Sequence, residues 1–107
     1  MTGPKYLDRE QYHPYQLQIE TILSQVFSQK RCRIYLFGSR ATDTYHDTSD
    51  FDNGVLAEED IRRELSLARE MLEQSNIPLS VDLIDLGTAS ESFRQAVLTQ
   101  GIVLWTN

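Results

Sequence analysis

Apolar residues along this chain change period several times, and each change marks an element. From Pro14 to Gln29 the residues Leu17, Ile19, Ile22, Leu23, Val26 and Phe27 recur largely at spacings of three and four, which is one face of a helix. Pro14 suits its first turn, where an N–H would go unpaired anyway. Ile34 to Phe37 is a short apolar run that stops at Gly38-Ser39, the pattern of a buried strand entering a tight turn. A second strand opens with Asp50 and Asp52 and runs to Leu56. Between Ala57 and Ser75 the stripe Ile61, Leu65, Ala68, Met71 and Leu72 predicts a second helix, with Glu58, Glu59 and Asp60 set against its N-terminal dipole. Leu79 to Leu86 alternates as a strand, Leu79, Val81, Leu83 and Asp85 on one face and Ser80, Asp82, Ile84 and Leu86 on the other. Thr88 or Ser90 caps a third helix from Glu91 to Thr99, which turns Phe93, Val97 and Leu98 inward. Gly101 ends it, and Ile102 to Trp105 is a last strand. Residues 1–13 show no period and are expected to form an arm.

This order describes one α/β (α+β) domain spanning 1–107, a small mixed sheet with helices mainly on one face. The length supports a single core. A formal net charge of −6 and a pI near 4.7 give a surface field that repels polyanions, so free nucleic acid is disfavoured as a substrate. The single cysteine, Cys32, allows no internal disulfide and fits a reducing cytoplasm, where it serves as a small buried hydrophobe. No apolar stretch approaches about 18 residues, and the N-terminus lacks an apolar signal-peptide core, so neither insertion nor export is expected.

Candidate chemistry concentrates between Gly38 and Asp52. Residues i and i+2 of a strand share a face, so the Asp50 and Asp52 carboxylates sit roughly 6 to 7 Å apart. At an effective dielectric of about 20 they repel by about 2 to 3 kcal/mol. A divalent cation offsets that in a cleft, and an oxygen-only donor set suits magnesium or manganese. Gly38 and Ser39 supply the complement, since a glycine allows close backbone approach and free N–H groups with a hydroxyl at a turn suit phosphate oxygens. The ten residues from Arg40 to Ser49 are too few for a parallel crossover built around a helix. An antiparallel pair is therefore expected, with Ser39 brought beside Asp50. Other polar groups read as structure. Lys30, Arg31 and Arg33 form a solvated basic link, and His46 is exposed in a polar turn. The acidic turn fails as an EF-hand, because Phe51 falls at the fifth position when the loop starts at Asp47.

Gly38-Ser39, ten residues, then Asp50-x-Asp52 resembles the signature of the nucleotidyltransferase fold of the DNA polymerase beta superfamily, in particular its minimal nucleotidyltransferase (MNT) domains. Those are about as long as this chain. Two departures stand out. Thr42 occupies a place where many relatives carry glycine, which alters the turn, and Asn53-Gly54 replaces a small aliphatic pair, which points to a bulge.

The resemblance implies a site. Asp50 and Asp52 would hold two Mg2+ ions, and Asp82, which matches the third acidic position, would ligate one of them and help activate an acceptor hydroxyl. Mid-strand burial would make Asp82 costly without a cation. Gly38 and Ser39 would grip the β and γ phosphates of ATP, with Arg40 beside them, while Asp85 faces solvent or caps the next turn. Larger relatives complete the cleft with an added helical domain, and this chain stops at Asn107. The implied partner is a separately encoded, HEPN-type helical protein, a toxin whose tyrosine receives AMP from the MNT antitoxin. A contact-only neutralising subunit and a small-molecule nucleotidyltransferase completed by a partner are the alternatives. The apolar tail also suggests a homodimer.

Overall fold

Two amphipathic helices and one five-stranded mixed sheet bury most of the apolar residues. The computed structural model describes residues 5, 6, 10, 12–42 and 44–107, so much of the expected arm lies outside the described residues. The strands are β1 (Lys5–Tyr6), β2 (Cys32–Phe37), β3 (Phe51–Ala57), β4 (Val81–Asp85) and β5 (Ile102–Thr106), in spatial order β1-β5-β2-β3-β4. The helices are α1 (Pro14–Val26), α2 (Arg62–Gln74) and α3 (Glu91–Gln100).

Strand β2 pairs antiparallel with β3 and with β5, while β3 and β4 run parallel. The parallel step needs a crossover, and α2 supplies it. Side-chain alternation then splits the sheet into two faces. On one, Ile34, Leu36, Phe51, Val55, Leu83, Ile102 and Leu104 form the main core with Ile19, Leu23 and Phe27 from the first helix region and Leu65, Ala68 and Leu72 from α2. On the other, Tyr35, Leu86, Val97 and Val103 form a smaller core under α3. Two helices therefore cover one face and one covers the other.

Helix starts follow local hydrogen bonding. His13, expected in the arm, is the N-cap of α1, and its Nδ1 accepts from the Tyr15 N–H at 3.1 Å. Ser90 caps α3 through its hydroxyl, which accepts from the Phe93 N–H at 3.2 Å. Helix α2 begins later than its apolar stripe suggested. Glu58, Glu59 and Asp60 precede it; Glu59 finds other partners, whereas Asp60 meets the helix N-terminus as expected. Glu59 accepts from Lys30 Nζ at 3.3 Å and from the Arg31 N–H at 3.2 Å. Asp60 binds the Arg62 side chain and backbone N–H.

The bulge expected at Asn53-Gly54 is absent there. Pairing of β2 with β3 is continuous from Cys32↔Ala57 to Phe37↔Asp52, and the irregularity falls instead between β2 and β5, at Ile34/Tyr35. Asn53 is fully buried on the helical face and accepts a 3.4 Å bond from Gln16 Nε2. Gly54 answers a packing need. A Cβ there would lie 2.9 Å from Leu86 Cγ, and Leu86 is the fully buried centre of the smaller core. The apolar tail that suggested self-association is β5, whose Ile102, Val103 and Leu104 are buried within this chain.

Alanine normally outperforms glycine inside a strand. At position 54 we expect the reverse. Gly54→Ala should lower the unfolding free energy by about 1 to 3 kcal/mol through overpacking, measured by urea denaturation, and Leu86→Val in the same chain should recover part of it. An alanine variant as stable as the parent would contradict this packing account.

Candidate active site

At the end of β2 the chain must turn sharply while passing a carboxylate. Gly38 does this at φ +75, a conformation that costs an L side chain energy. A Cβ at Gly38 would also overlap Asp52 Oδ2. Its carbonyl accepts from the Ala41 and Thr42 N–H groups at 3.1 and 3.2 Å, which winds residues Gly38–Arg40 into a single 3-10 turn. Thr42 fits this turn without glycine's freedom, and its hydroxyl adds a 3.3 Å bond to the Gly38 carbonyl. The register that pairs Phe37 with Asp52 leads on toward Ser39 and Asp50, the approach that was expected. Gly38 meets Asp52, because Phe37 and Asp52 are the last paired residues.

Asp52 is the centre of the arrangement. It pairs with Phe37 on one side and, through the parallel ladder, with Asp82 on the other. Adjacent strands lie about 4.8 Å apart, and paired residues project to the same face. The face is the one under α3, opposite the main core. Asp52 is half-buried, and its pKa is raised above 3.8. Burial is the largest cause, followed by the Asp82 charge, a hydrogen bond with Asp82 and the Asp50 charge. No basic side chain figures among these influences.

Asp50 and Asp82 differ from expectation. Asp50 lies one residue before β3, exposed, and acts on Asp52 only as a nearby charge. Asp82 is the second residue of β4 and exposed, so the expected cost of burying it does not arise. Its position beside Asp52, rather than desolvation, makes it costly. Among the described residues no three His, Cys, Asp or Glu side chains cluster closely enough to hold one metal ion. The structure thus joins Asp52 and Asp82 and leaves Asp50 at the rim. Even so, the donor chemistry fits a hard divalent cation, being all oxygen, crowded with negative charge and held against a glycine that leaves the space clear.

Arg40 is corrected by the structure. Its guanidinium turns to the helical face and donates to the Ser49 carbonyl from Nε at 3.1 Å and from Nη2 at 2.9 Å, with a longer bond to the Asp47 carbonyl. It also stacks over the Phe51 ring, 4.0 Å from the centroid, and over Tyr45. A buried cation finds its partners there, so Arg40 clamps the loop between the turn and β3. Sequence reasoning saw the arginine but not the two carbonyls that claim it. Asp85 does cap a turn, accepting from the Gly87 N–H at 2.9 Å. Lys30 is taken by Glu59, and His46 is exposed. Cys32 is buried, and burial followed by the Glu59 charge pushes its thiol up to about 11, which leaves it unreactive.

Comparison with known proteins agrees with this geometry. Residues 17–107 match the polymerase beta nucleotidyltransferase family. A curated relative, protein adenylyltransferase MntA of Shewanella oneidensis, is 44% identical over 75 residues, covering 67% of this chain and 52% of that protein. The chain therefore aligns with about half the length of that relative. Among solved structures, a toxin–antitoxin with AMP-PNP superposes with a TM-score of 0.65 at 35% identity, covering 82% of this chain and 73% of that one. A tri-AMPylated Shewanella oneidensis HEPN toxin in complex with MNT antitoxin gives 0.60 at 31% identity, covering 86% and 73%.

Crowding at Asp52 fixes the sign of a pH effect. Its folded-state pKa lies above the unfolded 3.8, so within that interval the folded protein holds more protons. Stability contributed by Asp52 rises as pH falls through the raised value, and levels off at 3.8. His13 acts oppositely. Burial and then the Arg40 charge lower its pKa from 6.5, so acidification through 6.5 costs stability. Asp82→Asn leaves His13 untouched and should reduce, without abolishing, the gain from Asp52, since burial remains; this is seen as a pH-dependent difference in urea midpoints measured in EDTA. A difference that stays constant from neutrality down to pH 3.8 would show that the two carboxylates are not coupled.

Proposed function

As the chain belongs to the polymerase beta nucleotidyltransferase family, we propose that it transfers AMP from ATP to a hydroxyl, a tyrosine of a HEPN-type helical protein, and so acts as an antitoxin. One observation carries the reading. Asp52 and Asp82 stand side by side, in register, on the face where the Gly38 turn ends, and among the described residues no basic side chain figures in the influences on Asp52. The relatives named above supply the chemical class, adenylyl transfer, and the partner class. ATP as donor sets the reaction in the cytoplasm.

On this reading Asp52 and Asp82 would hold Mg2+, with Asp50 at the rim as the further carboxylate of a two-ion site. When bound, the metal supplies Lewis-acid stabilisation of charge on the phosphate oxygens. The chain does the rest. The Gly38-Ser39 turn offers backbone N–H groups and a hydroxyl to the β and γ phosphates, whose release as pyrophosphate it favours. Asp82, exposed on β4, accepts the proton of the incoming tyrosine hydroxyl or holds a water that does. Arg40 positions the turn by fixing the loop behind it.

A second reading has one observation in its favour. The three carboxylates do not converge among the described residues, as expected of a subunit that neutralises its partner by contact alone. The two readings separate in one assay. With a purified HEPN partner, magnesium and labelled ATP, Asp52→Asn should cut AMP incorporation by more than about 100-fold, equivalent to several kcal/mol of lost charge stabilisation, while the complex still forms. Retention of the partner by the native chain with no gain in mass would leave only the contact reading.

A further inference from the structure

Strand alternation places a third kind of side chain on the carboxylate face. Phe37 is paired with Asp52 across the ladder and so projects beside it, forming with Asp52 and Asp82 a row across β2, β3 and β4. Above Phe37 stands Phe93, in the first turn of α3. The rings meet edge to face, with centroids 5.5 Å apart and planes at 89°. Phe37 packs on the smaller core, whereas Phe93 is not a member of it and is 37% exposed. A phenylalanine that is more than a third exposed, resting edge to face on a ring beside Asp52, leaves apolar surface in water at the border of a charged site.

We propose that the Phe37–Phe93 pair is the platform on which the base of the donor nucleotide stacks, with Phe93 as its exposed positioning residue. The inference rests on the nucleotidyltransferase reading above. In that reading the triphosphate tail lies at Gly38-Ser39, at the end of β2, and the acceptor enters at Asp82, on β4. In-line displacement needs the leaving pyrophosphate and the attacking oxygen on opposite sides of the α-phosphorus, which puts the α-phosphate over Asp52 between them. The ribose and base branch from the α-phosphate off that line. With the acceptor on the β4 side, the aromatic surface on the β2 side falls to the donor. Phe93 of α3 meets Phe37 from off the row of Phe37, Asp52 and Asp82, and is on offer to a base that leaves that line.

Other exposed aromatic residues do not compete. Tyr45 lies on the helical face against Arg40, and Tyr6 sits on β1, two strands beyond β2. Stacking also suits this chain's charge, since a π-face attracts a base without adding a cation to an acidic surface.

The test compares two magnesium-bound probes by calorimetry on the full chain: a non-hydrolysable ATP analogue, and tripolyphosphate, which has the phosphates but no base. Phe93→Ala should weaken the analogue about tenfold and leave tripolyphosphate unchanged, and Phe93→Tyr should restore the affinity. Phe93→Leu keeps apolar contact with Phe37 but has no ring, so it should behave like alanine even if alanine disturbs α3. Unchanged affinity of the leucine variant for the analogue, or equal weakening of both probes, overturns the platform. If the native chain binds neither probe, the nucleotidyltransferase reading itself fails, which is a distinct result.

Discussion

Two like charges on adjacent strands, Asp52 and Asp82, are the constraint around which this small domain is arranged. Left alone they repel, and after burial that repulsion is the next largest influence raising the Asp52 pKa. What keeps them together is register. A one-residue slip of β3 against β4 would send Phe51 and Val55, both essentially fully buried, to the carboxylate face and expose the apolar set. The main core under α1 and α2 therefore holds the charges in place from the opposite side of the sheet. Several kcal/mol of burial stand against a repulsion of a few.

The turn beside those charges is built with the same economy. Gly38 is required twice, by its positive φ and by the Asp52 oxygen that a Cβ would strike. The loop that follows cannot pack a core of its own, and Arg40 ties it down by bonding to the Ser49 and Asp47 carbonyls and stacking on Phe51. A cation that neutralised Asp52 would relax the site. Arg40, which follows the turn directly, points instead to the other face, so it leaves the negative charge of the pair in place.

The two faces divide labour. One is closed by α1 and α2 and provides stability, while the other, under α3, carries the carboxylates, the smaller core and an aromatic pair. Gly54 and Leu86 show how tightly that second face is packed just beyond the acidic pair. The net charge of −6 adds a long-range bias against polyanions such as free nucleic acid.

Much of this was legible in the chain itself. Periodicity located the three helices and all the longer strands, because the 3.6 and 2.0 repeats of burial are written directly in residue order. The short Arg40–Ser49 link required an antiparallel pair, and the Gly38-Ser39 and Asp50-x-Asp52 spacing marked the candidate site. Tertiary structure decided the rest. Only register could show that Gly38 lies against Asp52, and that Asp82 matters by adjacency to Asp52 rather than by burial. Only the packed loop could show that Arg40 serves carbonyls, that Asn53-Gly54 accommodates Gln16 and Leu86 instead of a bulge, and that Glu59 prefers Lys30 to a helix dipole. Each of these depends on partners distant in sequence, and local pattern carries no information about which distant group will satisfy a charge or fill a space.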